Sequence, residues 1–307
     1  MIDYSQFDRV FGSMNPFPYN RPFIQRIETS RRSLEGSLFI DRVLKALNLA
    51  QAANNYPPKN EKALRQLHQH ICDTNNITPH HKLSVLYYLL LDLDEQVSDG
   101  NSKADVFASR AGIPDRYQIF MKGLWLMDSQ TFELALEHLT HPSLISDFAD
   151  DIITVLVRHA KDGDYTLPLA YYHTVQPSVQ SSTALQLLFD AMAQSSVTEA
   201  FEFSRSHADY MRRQLFQRLV LVVLDSGRND LTAERAFELT SLPFDAEEEQ
   251  WFQECLERGE GKRLKAAKDT LLMRRIATGH PVTAGEKGAW ATVLEGFKTG
   301  SGGRIQA

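Results

Sequence analysis

The stretch Ile113–Ile145, IPDRYQIFMKGLWLMDSQTFELALEHLTHPSLI, decides the fold. Pro114 is tolerated in the first turn of a helix, and the acidic Asp115 suits the positive end of the helix dipole. Apolar residues then recur at helical spacing on one face. This first stripe consists of Tyr117, Phe120, Met121, Leu124 and Trp125. The pattern predicts one amphipathic helix.

A second helix follows almost at once. Asp128 and Ser129 interrupt the first stripe and offer side-chain oxygens as N-caps for the next helix. The second stripe consists of Phe132, Ala135, Leu136 and Leu139. It ends at His141, because the residue before a proline disfavours helical backbone. The stretch therefore predicts a tight helical hairpin, whose apolar faces need neighbours on both sides.

The rest of the chain supplies such neighbours. Helical stripes recur before and after the hairpin, from Leu83–Leu91 to Leu215–Val223, and alternation typical of strands never lasts. The start and stop signals along the sequence, such as capping residues, glycines and prolines, predict about fifteen helices with short connections. No repeat of fixed length is evident, which argues against regular tetratricopeptide, ankyrin or HEAT arrays. The prediction is an all-α fold: an irregular α-solenoid, or stack of antiparallel helical hairpins.

Composition excludes several classes of protein. A formal net charge of −6 over 307 residues argues against a protein that mainly holds nucleic acid. Cys72 and Cys255 are too few for a disulfide framework, so a reducing compartment is expected. No apolar run reaches the roughly 18 residues of a membrane span, and the N-terminus lacks the features of a secretory signal.

We predict three parts: an N-terminal docking segment (1–36), a helical domain (37–298) and a flexible tail (299–307). The docking segment combines three prolines with aromatic residues, which favours extended chain. Its aromatic residues are Tyr4, Phe7, Phe11, Phe17, Tyr19 and Phe23. They are too apolar to remain in water. They either pack across the body of the same chain or dock onto a partner.

A predicted helix near 262–278 is strongly basic. Its cations are Lys262, Arg263, Lys265, Lys268, Arg274 and Arg275. Three interpretations stay open: a solvated face, pairing of Lys262 and Arg263 with the acidic segment Glu254–Glu260, or a surface for an acidic partner or nucleic acid.

Motifs for catalysis are missing. The sequence has no phosphate-binding GxxxxGKS/T loop and no GxSxG elbow. His68 and Cys72 stand at i and i+4, a spacing that suits two metal ligands. The favoured interpretation is a core cysteine with exposed histidines. Asp245 and Glu248 fit a capping box, a structural signal. We therefore predict no catalytic, cofactor-binding or metal-binding residues.

Two stretches resemble a known family. The hairpin IPDRYQIFMKGLWLMD, with Trp125 and Asp128 before TFELALEHL, is similar to the helical domain of the ELYS nucleoporins. The segment AERAFELTSLPFDAEEEQWFQECL, Ala233–Leu256, resembles the same domain. The similarity covers roughly Leu34–Phe297. These motifs consist of packing residues rather than chemical groups.

The resemblance implies a structural nucleoporin at the nuclear pore and nuclear envelope. ELYS proteins attach to the Y-shaped outer-ring complex, near its helical and β-propeller members, and such a scaffold supports transport of protein and mRNA. The resemblance implies the short form that has only the helical domain. Because no β-propeller precedes it and no AT-hook follows it, DNA binding and a chromatin role are not expected.

The leading hypothesis is a scaffold that binds other nucleoporins through two contact regions. We expect partner contacts at Tyr4, Phe7, Phe11, Phe17, Tyr19, Phe23, Lys262, Arg263, Arg274 and Arg275. The alternative is a helical nucleic-acid-associated adaptor that uses the basic 262–275 face and binds in a salt-sensitive way. A third hypothesis is an all-α enzyme with a buried metal or carboxylate site.

Overall fold

The computed structural model describes residues 3–96, 102–225 and 230–279. These residues form α-helices and one 3₁₀ turn, with no strand among them, so the predicted all-α class is confirmed. The chain divides into two compact units. The first unit comprises Met1–Ala160 and Thr166–Val179, and the second comprises Lys161–Tyr165 and Gln180–Ala307. In the described ranges, no helix is both long and apolar enough to span a bilayer.

The first unit carries eleven of the described helices. They are α1 (Phe7–Phe11), α2 (Arg21–Ser33), α3 (Phe39–Ala46), α4 (Ala50–Ala53), α5 (Glu61–Asp73), α6 (Pro79–Gln96), α7 (Lys103–Ala111), α8 (Asp115–Asp128), α9 (Phe132–Leu139), α10 (Ala149–Arg158) and α11 (Thr166–Val175). Helix α6 is the centre of this unit, because its residues are buried continuously from Lys82 to Leu93. A helix buried on every side needs cover all round, and α3, α7 and α8 supply it.

The predicted hairpin is confirmed as α8 and α9. The two helices approach closely at Gly123, where an added Cβ atom would lie 2.7 Å from the Leu139 side chain. The prediction that Asp128 caps the second helix is wrong. Asp128 is the last residue of α8 and is buried, and α9 follows Thr131, whose side chain makes no capping bond. The reason is that Asp128 caps a different helix, as described below.

The second unit contains the remaining described helices. They are α12 (Ser182–Ser195), α13 (Val197–Arg205), α14 (Asp209–Asp225), α15 (Asp230–Ser241), α16 (Ala246–Glu257), the 3₁₀ turn Glu260–Arg263 and α17 (Ala267–Ala277). Aromatic rings fill its centre, with Phe244 in contact with Phe201, Phe216 and Phe252. Helix α16 begins with the predicted capping box of Asp245 and Glu248.

The basic helix predicted near 262–278 differs from the structure at its start. Glu260–Arg263 forms a 3₁₀ turn, and α17 begins only at Ala267. The cause is close packing at Gly261, where an added Cβ atom would lie 2.8 Å from the Leu256 side chain and 3.0 Å from the Cys255 carbonyl oxygen. The last helix predicted around Trp290–Phe297 and the tail 299–307 lie outside the described residues.

Candidate interaction surfaces

The N-terminal aromatic residues pack onto their own unit. Phe7, Phe11, Tyr19 and Phe23 are buried, whereas Tyr4 and Phe17 are half-buried. The Phe7 and Phe11 rings meet the His68 ring at 5.5 and 5.9 Å between centroids. Of the two interpretations of this segment, the structure favours packing across the same chain. A docking role then depends on the accessible surface of Tyr4 and Phe17, because the four buried rings are part of the core.

His68 and Cys72 take part in the same packing. The His68 Nε2 atom lies 2.8 Å from the carbonyl oxygen of Tyr4 and 3.5 Å from the Cys72 Sγ atom. Burial lowers the pKa of His68 and raises the pKa of the Cys72 thiol to about 11. The thiol is therefore protonated at neutral pH.

The structure contradicts the expectation of a core cysteine with an exposed His68, whereas the nearby His70 is exposed as expected. His68 is buried rather than exposed, because its ring serves as an aromatic partner, and Cys72 is half-buried. Within the described residues, no group of three or more histidine, cysteine, aspartate or glutamate side chains is placed to hold a metal ion.

One of the residues predicted to form a basic surface, Arg274, is buried. Arg274 is 6% exposed and donates to Glu249 Oε2 at 2.7 Å and to the carbonyl oxygens of Thr240 and Leu242 at 2.8 and 2.6 Å. Its guanidinium also lies 4.0 Å from the Phe244 ring centroid. The side chain therefore joins α17 to α16 and to the end of α15. The expectation that Arg274 is available to a partner is not supported.

The other predicted basic contacts remain accessible to different degrees. Arg275 is half-buried, with its Nη2 atom 3.5 Å from Glu257 Oε1, a contact that the sequence did not predict. Lys262 and Arg263 are exposed. Lys265 and Lys268 are exposed as well. The nucleic-acid alternative thus depends on these four side chains.

The most buried polar cluster of the first unit was not predicted. Asp92, on α6, is 2% exposed. Its carboxylate accepts hydrogen bonds from the hydroxyls of Tyr19 and Tyr56 and from the indole nitrogen of Trp125, each at 2.8 Å. The Asp92 carboxylate thus joins three parts of the chain to α6: Tyr19 of the N-terminal segment, Tyr56, and Trp125 of α8.

Asp128 is the second centre of this cluster. It accepts hydrogen bonds from the backbone nitrogens of Phe39 at 2.6 Å and Ile40 at 3.0 Å, and from the Tyr88 hydroxyl at 2.8 Å. The two amides belong to the first turn of α3, whose preceding residue, Leu38, has no polar side chain. Asp128 therefore supplies, from 89 residues away in sequence, the side-chain acceptor that the N-cap residue of α3 lacks.

Burial dominates the acidity of both carboxyls. It raises the pKa of Asp92 to about 6 and that of Asp128 to about 7, while the donated hydrogen bonds act in the opposite direction. A sequence signal did exist: each aspartate follows an apolar run, LLLD for Asp92 and LWLMD for Asp128. An ionisable residue in such a run is almost never buried without dedicated partners.

The second unit also has a buried polar cluster, an ion-pair network around Glu248. Glu248 is buried and accepts from Arg205 at 2.9 and 2.7 Å, and it also pairs with Arg212. Burial opposes ionisation of Glu248, but the two arginines outweigh it and hold the pKa of the carboxyl below its usual range. The network ties α13 and α14 to the start of α16.

In both units these ionisable groups, with shifted pKa values, join neighbouring helices of an all-helical fold. The comparisons with known proteins give the family. The model of the family described as "ELYS: Nuclear pore complex assembly" matches residues 37–259, and the chain belongs to this family. The resemblance predicted from the sequence is thereby confirmed.

Two relatives illustrate the relation. The chain is 25% identical over 253 residues to "Uncharacterized protein ely5" of Schizosaccharomyces pombe, a match that covers 80% of this chain and 79% of that protein. It is 25% identical over 260 residues to "Protein ELYS" of Homo sapiens. That match covers 78% of this chain but only 11% of the human protein, so most of the human protein lies outside the similarity.

Proposed function

We propose that this protein is a structural nucleoporin that attaches to the Y-shaped outer-ring complex of the nuclear pore. In this role it contacts helical and β-propeller nucleoporins and supports transport of protein and mRNA at the nuclear envelope. The observation that carries the proposal is the family match over residues 37–259, because the description of that family is nuclear pore complex assembly.

The chemistry of the buried groups supports a scaffold over an enzyme. Catalytic acids and bases have shifted pKa values because they are held ready for substrate. Here Asp92 and Asp128 accept bonds from tyrosines, a tryptophan and backbone amides, and His68 contacts a backbone carbonyl. Each of these three groups therefore has a structural partner within the chain.

The test is affinity purification of the tagged full-length chain, followed by crosslinking mass spectrometry. We expect outer-ring nucleoporins to co-purify and their crosslinks to map to this chain. Recovery of a different set of proteins, with no outer-ring member among them, would overturn the proposal.

The N-terminal contact region needs a specific test. Deleting residues 1–23 would remove Phe11, Tyr19 and Phe23 from the core, so lost binding would then report unfolding. The substitutions Tyr4→Ala and Phe17→Ala alter only half-buried rings. We expect them to weaken co-purification while leaving the circular dichroism spectrum unchanged. Binding equal to that of the unmodified chain would remove the segment from the interface.

A further inference from the structure

A cavity of about 220 Å³ lies in the first unit between α2, α6 and the connection of α8 to α9. Aromatic side chains form much of its wall: Phe23, Tyr56, Tyr88 and Trp125. The lining also includes Arg26 and Ser129, which are exposed, so the cavity opens to solvent. Its volume is below the roughly 300–1,000 Å³ of typical small-molecule sites, which limits the occupant to about one side chain.

The charge of this cavity is unbalanced. Its described lining holds three carboxylates, Asp92, Asp128 and Glu95, but one cation, Arg26. Arg26 is already engaged, because its Nη2 atom lies 2.5 Å from Glu95 Oε2. Among the described residues, the donors to Asp92 and Asp128 are hydroxyl, indole and amide groups, which are all neutral. Buried carboxylates are usually paired with a cation, and these two are not paired within the described chain.

Both carboxylates retain acceptor capacity. An ionised carboxylate offers about four lone-pair positions, and each of these accepts three hydrogen bonds from described residues. In each case the Oδ1 atom accepts one bond and the Oδ2 atom accepts two. The raised pKa values of both groups agree with carboxylates that lack a cationic neighbour.

We infer that this cavity binds the guanidinium group of one arginine side chain from a protein partner. Arginine fits better than lysine, because a planar and weakly hydrated guanidinium stacks on aromatic rings and gives up its water more readily. It also carries several N–H donors, which suits a lining that holds more than one carboxylate. The inference rests on the proposed function in one respect, namely that the partner is a nucleoporin of the outer ring.

The chemistry of the cavity is tested first, without any partner. The probe is N-acetyl-arginine amide, titrated into the isotope-labelled full chain, with the neutral citrulline analogue as its control. The indole N–H of Trp125, assigned with the Trp125→Phe variant, reports on the cavity, and that of the buried Trp251 in the second unit serves as internal reference. We expect a saturable shift of the Trp125 signal with the arginine probe alone. Equal responses to both probes, or no response, would overturn the inference.

The partner contact is tested with a matched pair of variants. Ser30 lines the cavity, whereas the neighbouring Thr29 is exposed and does not. Ser30→Arg supplies a guanidinium from within and should remove the probe response and weaken binding of the outer-ring complex at least about tenfold. Thr29→Arg should change neither.

The two proposals fail in different ways. If Ser30→Arg binds the outer-ring complex like the unmodified chain, the arginine inference is wrong and the proposed function stands. If the unmodified chain does not bind that complex, the proposed function fails, while the probe titration still decides whether the cavity takes a guanidinium.

Discussion

Asp128→Ala should be the most damaging single truncation of a polar side chain in the first unit. The substitution removes the acceptor for the backbone amides of Phe39 and Ile40 and for the Tyr88 hydroxyl. All three donors belong to residues in the core. Because the methyl group of alanine accepts no hydrogen bond, these donors lose their partner without gaining water.

The expected cost depends on pH. A buried donor left without an acceptor costs about 1–3 kcal/mol. For the three donors we expect a loss of about 3–5 kcal/mol in unfolding free energy at pH 5. This is near the lower end of the summed costs, because the tyrosine hydroxyl can rotate towards another acceptor. Burial raises the pKa of Asp128 to about 7 in the folded chain, against the usual 3.8 of an aspartate in water. The folded state therefore binds more protons than the unfolded state between these values, and its stability falls as pH rises through that window. Between pH 5 and pH 7 this effect amounts to about 2 kcal/mol in the unmodified chain. The alanine variant has no carboxyl at this position and does not lose this stability. The free-energy cost of the substitution is therefore smaller at pH 7 than at pH 5 by about 2 kcal/mol.

The measurement is native-state hydrogen exchange by mass spectrometry on peptides that cover α3 and α6, together with urea unfolding at both pH values. Asp115→Ala is the matched control, because Asp115 is an exposed aspartate in the first turn of the same helix. We expect the control to change stability by less than about 0.5 kcal/mol. A cost below about 1 kcal/mol for Asp128→Ala at pH 5, or the same cost at both pH values, would contradict the structural role assigned to this residue.

Three further predictions concern the other clusters. Asp92→Asn should flatten the fall in unfolding free energy between about pH 4 and pH 6, because burial raises the folded pKa of Asp92 to about 6, above the usual 3.8 of an aspartate in water. Urea titrations at several pH values measure this slope. Arg274→Ala should lower stability by about 3 kcal/mol, since it leaves Glu249 and two carbonyls without their donor, whereas the exposed Lys268→Ala should stay within about 0.5 kcal/mol in thermal unfolding. If the nucleic-acid alternative holds, Lys262→Glu with Arg263→Glu should abolish a low-salt gel shift that the unmodified chain produces; absence of any shift from the unmodified chain disposes of that alternative.

Much of the fold could be predicted from local pattern. The α8–α9 hairpin follows from apolar spacing, and the capping box at Asp245 follows from residue types three positions apart. Both signals lie within one or two helical turns. The sequence also carried enough packing residues to suggest the family, although those residues perform no chemistry.

Partners distant in sequence could not be predicted. Asp128 looked like a cap for the next helix, because local spacing does not show that α3 packs against α8. Arg274 looked like part of a basic face, because its acceptors lie on residues 25 to 34 positions earlier. The N-terminal aromatic residues needed burial, but hydrophobicity alone does not say whether the covering surface belongs to the same chain.

The bond between Asp128 and α3 also has a consequence for synthesis on the ribosome. Helix α3 is translated 89 residues before the carboxylate that caps it. At about 5–20 residues per second, the start of α3 waits roughly 4–18 seconds for that residue. During this time the amides of Phe39 and Ile40 depend on water for their hydrogen bonds. The first unit therefore cannot close before α8 has been translated and docks beside α3 and α6.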